Sequence, residues 1–333
     1  MAEATATLSR GFDGQPMPFG WFAVAMSDEI APGEMRTLKY FGTEFVAWRG
    51  EDGKLNAVDP YCPHLGAHLG HGGEVVGNDL QCPFHHWTWN GQGGVVDIPY
   101  AKVVPPKLKR PECLKTWPIE ESLGVVYVWY HPRKAAPKWA VASRPEVTVD
   151  GWVEAERHEW SFDIHIQEIT ENGQDYAHFG PIHGTQGPPA SEFRIEGWTR
   201  RNVVETKMVT PRGPVDGKIE TEAVGPGQSF IRYHGISDVL HAQQVTAIHP
   251  GKVHVRWQLY HPAGISDGRL RVTKAQMRDL VKQTTQDGWI WDYKRFTPDP
   301  LLVDGDGPIL AYRQQYARFY VFDEPTPVVV AAE

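Results

Sequence analysis

The stretch YCPHLGAHLGHGGEVVGNDLQCPFHHWTW, residues 61–89, constrains this chain more than any other part of it. Cys62 and His64 stand one residue apart; after 17 intervening residues, Cys82 and His85 stand two residues apart. Thiolate and imidazole together suit zinc or an iron–sulfur cluster. Zinc sites with two Cys and two His usually place a Cys pair before a His pair, whereas here each arm carries one of each. Hairpins with merely packed Cys and His, or a zinc ribbon, are the simpler alternatives.

Two mixed arms suit a Rieske-type [2Fe–2S] centre, in which two Cys hold one iron and two His the other. The candidate ligands are Cys62, His64, Cys82 and His85. Pro63 and Pro83 stiffen the loops by fixing φ, and Gly66, Gly70, Gly72 and Gly73 permit a tight backbone around the sulfurs. His68, His71 and His86 do not complete the mixed-arm spacing and read as surface or supporting residues; His86 directly follows a ligand. Imidazole ligation raises the potential above that of an all-Cys cluster. The stretch should therefore accept and pass on single electrons.

The other end of that transfer has to lie elsewhere in the chain. At 333 residues the chain is long enough for two domains. High Gly (33), Pro (27) and Trp (13) favour short strands and ordered loops over a helix bundle. A net charge of −8 without a basic cluster argues against nucleic acid as a partner. The N-terminus lacks the layout of a secretory signal, and no apolar run approaches a membrane span, so the reading is cytoplasmic. Three cysteines make no disulfide framework, and Cys113, outside both arms, is expected to be a buried small hydrophobe.

Strand-like runs at 44–50, 54–60, 93–100 and 124–130 surround the ligand loops and predict an all-β domain over 17–132. The Pro- and Ala-rich segment 133–150 reads as a linker. In the second domain, 151–325, strands are expected at 151–160 and across 193–261, a long helix at 271–295 and a last one at 309–320. Sheet plus long helix makes an α+β fold.

Between those strands, Asn172, Asp175 and His178 recur every third residue, so on a helix they would share one face. His183 follows His178 by five residues, with Gly180 and Pro181 between them, and a helix break there would return it beside His178. A carboxylate would complete a two-His, one-carboxylate triad for non-haem Fe(II), which keeps positions open for oxygen. The long helix offers Asp287, which falls within an inward stripe of Met277, Leu280, Val281, Thr284, Gly288 and Trp291. Asp279 and Asp292 lie off the stripe and read as solvated. Salt-bridged or simply hydrogen-bonded roles for Asp287, His178 and His183 are the alternative.

Together, CPH…CPFHHW and Asp175-x-x-His178-x4-His183 resemble the oxygenase component of Rieske non-haem iron oxygenases, over nearly the whole chain. CPFHHWTW, IPYAKVVPP and LLVDGDGPI look most like the 3-ketosteroid 9α-hydroxylase oxygenases and their relatives, which include sterol desaturases. The resemblance implies a Rieske β-domain followed by a helix-grip catalytic domain. It implies a [2Fe–2S] cluster on Cys62, His64, Cys82 and His85, and mononuclear iron on His178, His183 and Asp287. Asp175 would be the carboxylate bridging a cluster His of one subunit to an iron-ligating His of the next, in a head-to-tail homotrimer; Asn172 matches a position near the iron. With no dinucleotide fingerprint in the chain, a separate NAD(P)H-dependent flavin or iron–sulfur reductase must feed it. The implied reaction is O2-dependent hydroxylation of a small apolar substrate, a 3-ketosteroid or related steroid. Action on a small aromatic by hydroxylation or O- or N-demethylation, desaturation of a sterol, and a pure Rieske electron carrier are the rivals. Two departures stand out: His86 occurs where many relatives have Gly or Asp, and GTQGPPASE (184–192) is rich in Gly and Pro beyond the second His.

Overall fold

The computed structural model describes residues 10–12, 14–144, 146–147, 151–184 and 193–322. Among the described residues the N-terminal half is built of ten short strands: β1 (Gly20–Met26), β2 (Met35–Tyr40), β3 (Thr43–Arg49), β4 (Leu55–Val58), β5 (Glu74–Val76), β6 (Asp79–Gln81), β7 (Thr88–Trp89), β8 (Val95–Asp97), β9 (Ile119–Ser122) and β10 (Val125–Tyr130). They form three antiparallel sheets, ordered β1-β10-β9, β2-β3-β4 and β5-β6-β7-β8. The last of these carries the chemistry: the first Cys–His loop leads toward β5, and the second is the loop of the β6–β7 hairpin.

The seven residues of β1, GWFAVAM, are all buried, and a continuous apolar run of that length suits a strand covered on both faces. Phe22 and Val24 join the core shared with the C-terminal half, while Trp21 and Ala23 pack on Tyr127 and Trp129. Thr246 Oγ1 and Arg256 Nη1 donate to the Ala23 carbonyl, at 2.6 and 3.2 Å, and Phe41 N donates to Ala247 O at 2.9 Å. The two halves are thus joined by a common core and by hydrogen bonds across it.

In the C-terminal half, β11 (Trp152–Phe162), β12 (Arg194–Glu196), β13 (Thr199–Thr210), β14 (Gly213–Val224), β15 (Gln228–His234), β16 (Val239–His249) and β17 (Lys252–Pro262) form one antiparallel sheet, ordered β11-β17-β16-β15-β14-β13-β12. Against it lies the long helix Asp267–Trp291, which starts and ends four residues earlier than the apolar stripe suggested. Its start is set by Ser266, whose Oγ accepts from Arg269 N at 3.3 Å. The predicted inward stripe is the buried one, with Met277, Thr284, Asp287, Gly288 and Trp291 all inside. Gly288 is needed there: a Cβ would lie 2.3 Å from the Phe162 ring of β11, so only glycine lets the helix approach that closely and carry Asp287 inward. The terminal helix Ile309–Tyr316 ends in a 3-10 turn at Ala317–Phe319.

Two local expectations are corrected. Asn172, Asp175 and His178 do not share one helix, because the helix Ile166–Glu171 tightens into a 3-10 turn at Asn172–Gln174 and Asp175 is extended. Cys113 is half-buried, with its thiol 3.4 Å from the Lys107 carbonyl. The segment 185–192, most of GTQGPPASE, lies outside the described residues, as do 145 and 148–150 of the linker reading and 323–325 at the end of the second domain.

Candidate functional site

The two Cys–His arms fold into the same turn. Cys62 N donates to Ala67 O and Gly66 N to Cys62 O; in the second arm Cys82 N donates to Trp87 O and His86 N to Cys82 O. Gly66 and His86 therefore hold equivalent positions, both left-handed at φ 79° and 57°. Histidine there costs about 1 kcal/mol that glycine would not, which gives the departure at His86 a physical meaning. The turns set Cys62 and Cys82 inside, each 2% exposed, and the His64 and His85 rings 4.8 Å apart at the half-exposed end. His64 stacks on Trp87, whose Nε1 donates to Tyr100 at 2.7 Å.

The donor set fits a cluster on three counts. Burial, together with the neighbouring Cys82, pushes the Cys62 thiol up to about 11, so a thiolate pair here calls for a cation. His85 Nδ1 is buried without a hydrogen-bond partner among the described residues. The sulfur end is enclosed and the imidazole end open, which suits electron exit through the rings.

The second site is assembled from two segments. Phe179–His183 forms a π-helical turn, closed by Gly184 in the left-handed conformation. In an i→i+5 turn, residues five apart fall on the same side, which is how His183 comes to face His178 with ring centroids 5.1 Å apart. From the long helix, Asp287 Oδ1 lies 3.2 Å from His183 Nε2 and 3.8 Å from His178 Nε2. Ligand atoms of all three residues lie within 4.8 Å of one another. Two imidazoles and a carboxylate around one point match the donor set of a non-haem Fe(II) site with open positions.

Neighbouring groups hold those three side chains in place. His178 Nδ1 donates to the Asp175 carbonyl at 2.6 Å, and His183 Nδ1 to Gln286 Oε1 at 3.2 Å, leaving both Nε2 atoms for a metal. Asn172 Nδ2 donates to Asp287 Oδ2 at 3.1 Å, which fixes the carboxylate with Oδ1 inward. Burial holds the Asp287 carboxyl above its ordinary range despite the two histidines. Burial would lower His178, but hydrogen bonding to Asp175 and the charge of Asp287 outweigh it and raise the ring. Gln286 escaped the sequence reading; its only signal is adjacency to Asp287. Asp279 is exposed as expected, and Asp292, also exposed, accepts from Asp163 N at 2.9 Å.

A cavity of about 320 Å³ opens beside these three residues, between the long helix and the sheet. Ile169, Val204, Ile219, Ile231, Trp257 and Leu280 give it apolar walls. His241 also lines it; burial pulls this ring down to about 3, and neither nitrogen has a hydrogen-bond partner among the described residues. His165, which caps the helix Ile166–Glu171 by accepting from Gln167 N, is pulled down by burial to about 4.

Both rings are thus neutral when folded and titrate near 6.5 when unfolded. Their stability contribution is complete above pH 6.5 and is lost as pH falls toward 4, since the unfolded chain binds the extra protons. Urea unfolding should show stability falling by up to about 2.7 kcal/mol per pH unit from the two rings in this window. His165→Gln should flatten the slope by about one proton; an unchanged slope would refute the assignment.

An iron–sulfur fold joined to a sheet-and-helix domain with a two-His, one-carboxylate site defines the class: an oxidoreductase that feeds single electrons to oxygen chemistry. Residues 20–118 match the Rieske [2Fe-2S] domain and residues 128–320 the 3-ketosteroid 9alpha-hydroxylase C-terminal domain. The chain therefore belongs to the Rieske non-haem iron oxygenases, in the family with that C-terminal domain, and is a monooxygenase-type enzyme. It is 31% identical to a probable 3-ketosteroid-9-alpha-monooxygenase oxygenase component of Rhodococcus rhodochrous, covering 91% of this chain and 79% of that protein. It is 30% identical to the cholesterol 7-desaturase nvd of Xenopus laevis, covering 92% and 73%. The fold is shared with Pseudomonas putida CBB5 NdmA crystallised with caffeine (TM-score 0.69, 17% identity, 92% and 97% covered) and with dicamba monooxygenase bound to dicamba (0.67, 17%, 90% and 96%). No described helix is long and apolar enough to cross a membrane.

Proposed function

We propose that this oxygenase component takes electrons from a separate NAD(P)H-dependent reductase and hydroxylates an apolar, steroid-class substrate. The observation that carries the reading is the apolar-walled cavity of about 320 Å³ ending on His178, His183 and Asp287. The steroid 9-alpha-monooxygenase relative and the matching C-terminal family support it.

In this reading Cys62, His64, Cys82 and His85 hold the cluster and His178, His183 and Asp287 the iron, which when bound supplies the oxygen-activating chemistry. The chain's own work is positioning. Asn172 and Gln286 orient ligands, and the apolar walls seat the substrate and exclude water. A head-to-tail homotrimer belongs to the proposal. Among the described residues no hydrogen bond or ring contact links the two arms to Asp175. Tyr61, Leu65, Phe84 and Tyr100 form an exposed apolar group around the arms that a second copy could cover.

Desaturation is the second reading, favoured by the cholesterol 7-desaturase relatives that match 92% of this chain. Mass spectrometry separates the two. With iron-loaded protein, a surrogate reductase, NADH and labelled O2, hydroxylation of a 3-ketosteroid adds one labelled oxygen, the other leaving as water with two electrons and two protons from the donor side. Desaturation instead removes two hydrogens and retains no label. Demethylation of a methoxylated aromatic with all steroids unchanged would overturn the substrate class.

A further inference from the structure

Arg200, on β13, turns its side chain into the cavity and is 6% exposed. Among the described residues no carboxylate lies within ion-pairing distance of it, and its Nη1 has no hydrogen-bond partner. Its neighbours are aromatic: the guanidinium sits over the rings of Tyr312 and Phe193, 4.9 and 5.7 Å from their centres. Tyr176 and Tyr316 are the other groups that bear on its charge. Burial holds the Tyr312 and Tyr316 phenols far above their ordinary range, so neither supplies a negative charge. Arginine stays protonated in such surroundings. A buried cation without an anion is costly, and ring faces offset only part of that cost.

The adjacent arginine shows the contrast. Arg201, one residue on and facing out, pairs with both Glu196 and Glu222. Among the described residues, acidic partners are therefore present on this strand's outer face and missing from its inner one.

We infer that Arg200 binds an anionic group of the substrate, a carboxylate, and that the substrate is an apolar acid. The inference rests on the reading of the cavity as the substrate site and narrows the substrate class. The surroundings suit it. Across the sheet Arg200 pairs with Ala223, Ala223 with Ser229 and Ser229 with Gln243. The backbone positions on the two neighbouring strands in line with Arg200 are thus small, Ala223 and Ser229, and Ser229 and Gln243 line the same cavity. Three strand spacings separate Arg200 from Gln243, about 14 Å, a span that takes an extended apolar body lying across the sheet. Asn202 and Gln174 also line the cavity, each with its amide oxygen unpaired. Either amide can turn over to present its N–H2 to an anion.

The test uses the full chain with both metal sites loaded and reads dissociation constants from tryptophan fluorescence, which Trp257 and Trp291 in the cavity wall will report. The probes are matched pairs: a 3-ketosteroid with a side-chain carboxylate against its methyl ester, and a chlorinated benzoate against its methyl ester. Wild type should bind the acid of at least one pair about 30-fold tighter than its ester, the size of a charge-assisted contact. In Arg200→Gln that ratio should fall to about 1 while ester binding is kept. Arg200→Lys, which keeps the charge without the planar fork, should fall between. A merely structural arginine predicts a different pattern, with lower thermal stability in Arg200→Gln and no change in the acid-to-ester ratio. Removing an unpaired buried charge should leave the ligand-free variant at least as stable as wild type.

Equal binding of acid and ester by wild type, an acid preference that survives in Arg200→Gln, or no binding of any acid overturns the inference. Should Arg200→Gln fail to fold, the ratio in Arg200→Lys decides on the same terms. An acid preference confined to the benzoate pair keeps the role of Arg200 and sinks the steroid reading. Tight binding of the steroid ester without acid preference does the reverse.

Discussion

Asp287→Ala is expected to take the mononuclear iron out of each chain and reduce turnover to background, leaving the iron–sulfur cluster in place. Iron per chain should fall from about three to about two, while the spectrum of the reduced cluster is unchanged. The carboxylate is the group on which both histidines converge, at 3.2 and 3.8 Å from one oxygen. Asn172 holds its other oxygen, and among the described residues no other carboxylate groups with His178 and His183 to hold a metal. Loss of iron should not be loss of fold. Burial holds the Asp287 carboxyl above its ordinary range, which means the metal-free protein is strained by that charge. Metal-free Asp287→Ala should therefore melt no lower than metal-free wild type. Full iron content or substantial turnover in the variant would refute the assignment of the site.

How far these sites were legible depended on whether local spacing or tertiary register decided them. The cluster arms are local: a Cys and a His within one turn, Pro beside the Cys, and a left-handed position four residues on at Gly66 and His86. The inward burial of Asp287 is legible because its helix has one buried stripe and a carboxylate inside a stripe needs a reason. The convergence of His178 and His183 was anticipated, but the helix face drawn through Asn172, Asp175 and His178 was not what the chain forms. Those residues meet through a 3-10 turn, an extended Asp175 and a π-helical turn, departures too small to leave a period. Arg200 was not legible at all. In the run TRRNVV two adjacent arginines differ only in strand phase, and which one turns inward is settled by pairing with β14 and by the helix packed opposite. The strand β1 carried its signal in a continuous apolar run, yet its partner across the domain boundary, β16, lies more than 200 residues on.

Asp175→Asn should leave both metal sites filled and slow the passage of electrons between them. The Asp175 carboxylate has two jobs in this structure. Its Oδ1 accepts from Ala177 N and His178 N at 3.1 and 3.3 Å, which shapes the turn, and its Oδ2 lies 3.7 Å from His178 Nδ1. Hydrogen bonding from His178 holds this carboxyl below its ordinary range against the effect of burial. The side chain nevertheless keeps 42% of its surface open, so a donor from outside the chain can reach it. Asparagine preserves the turn, because its amide oxygen accepts the same two amides, but it carries no charge to bind an imidazole N–H on each side. Reoxidation of the reduced cluster by oxygen and substrate should slow roughly 100-fold, the upper end for partners of metal ligands. Iron content and substrate binding should stay at wild-type levels. Co-assembly decides whether the electron crosses between copies. A chain with Asp175→Asn retains a good cluster, and a chain with Cys82→Ser retains a good Asp175 and iron site; each alone is inactive. If transfer runs from one copy to the next, mixed assemblies regain turnover, because the cluster of the first chain can serve the iron of the second. If transfer ran within one chain, no mixture would recover, since no single chain would hold both working halves.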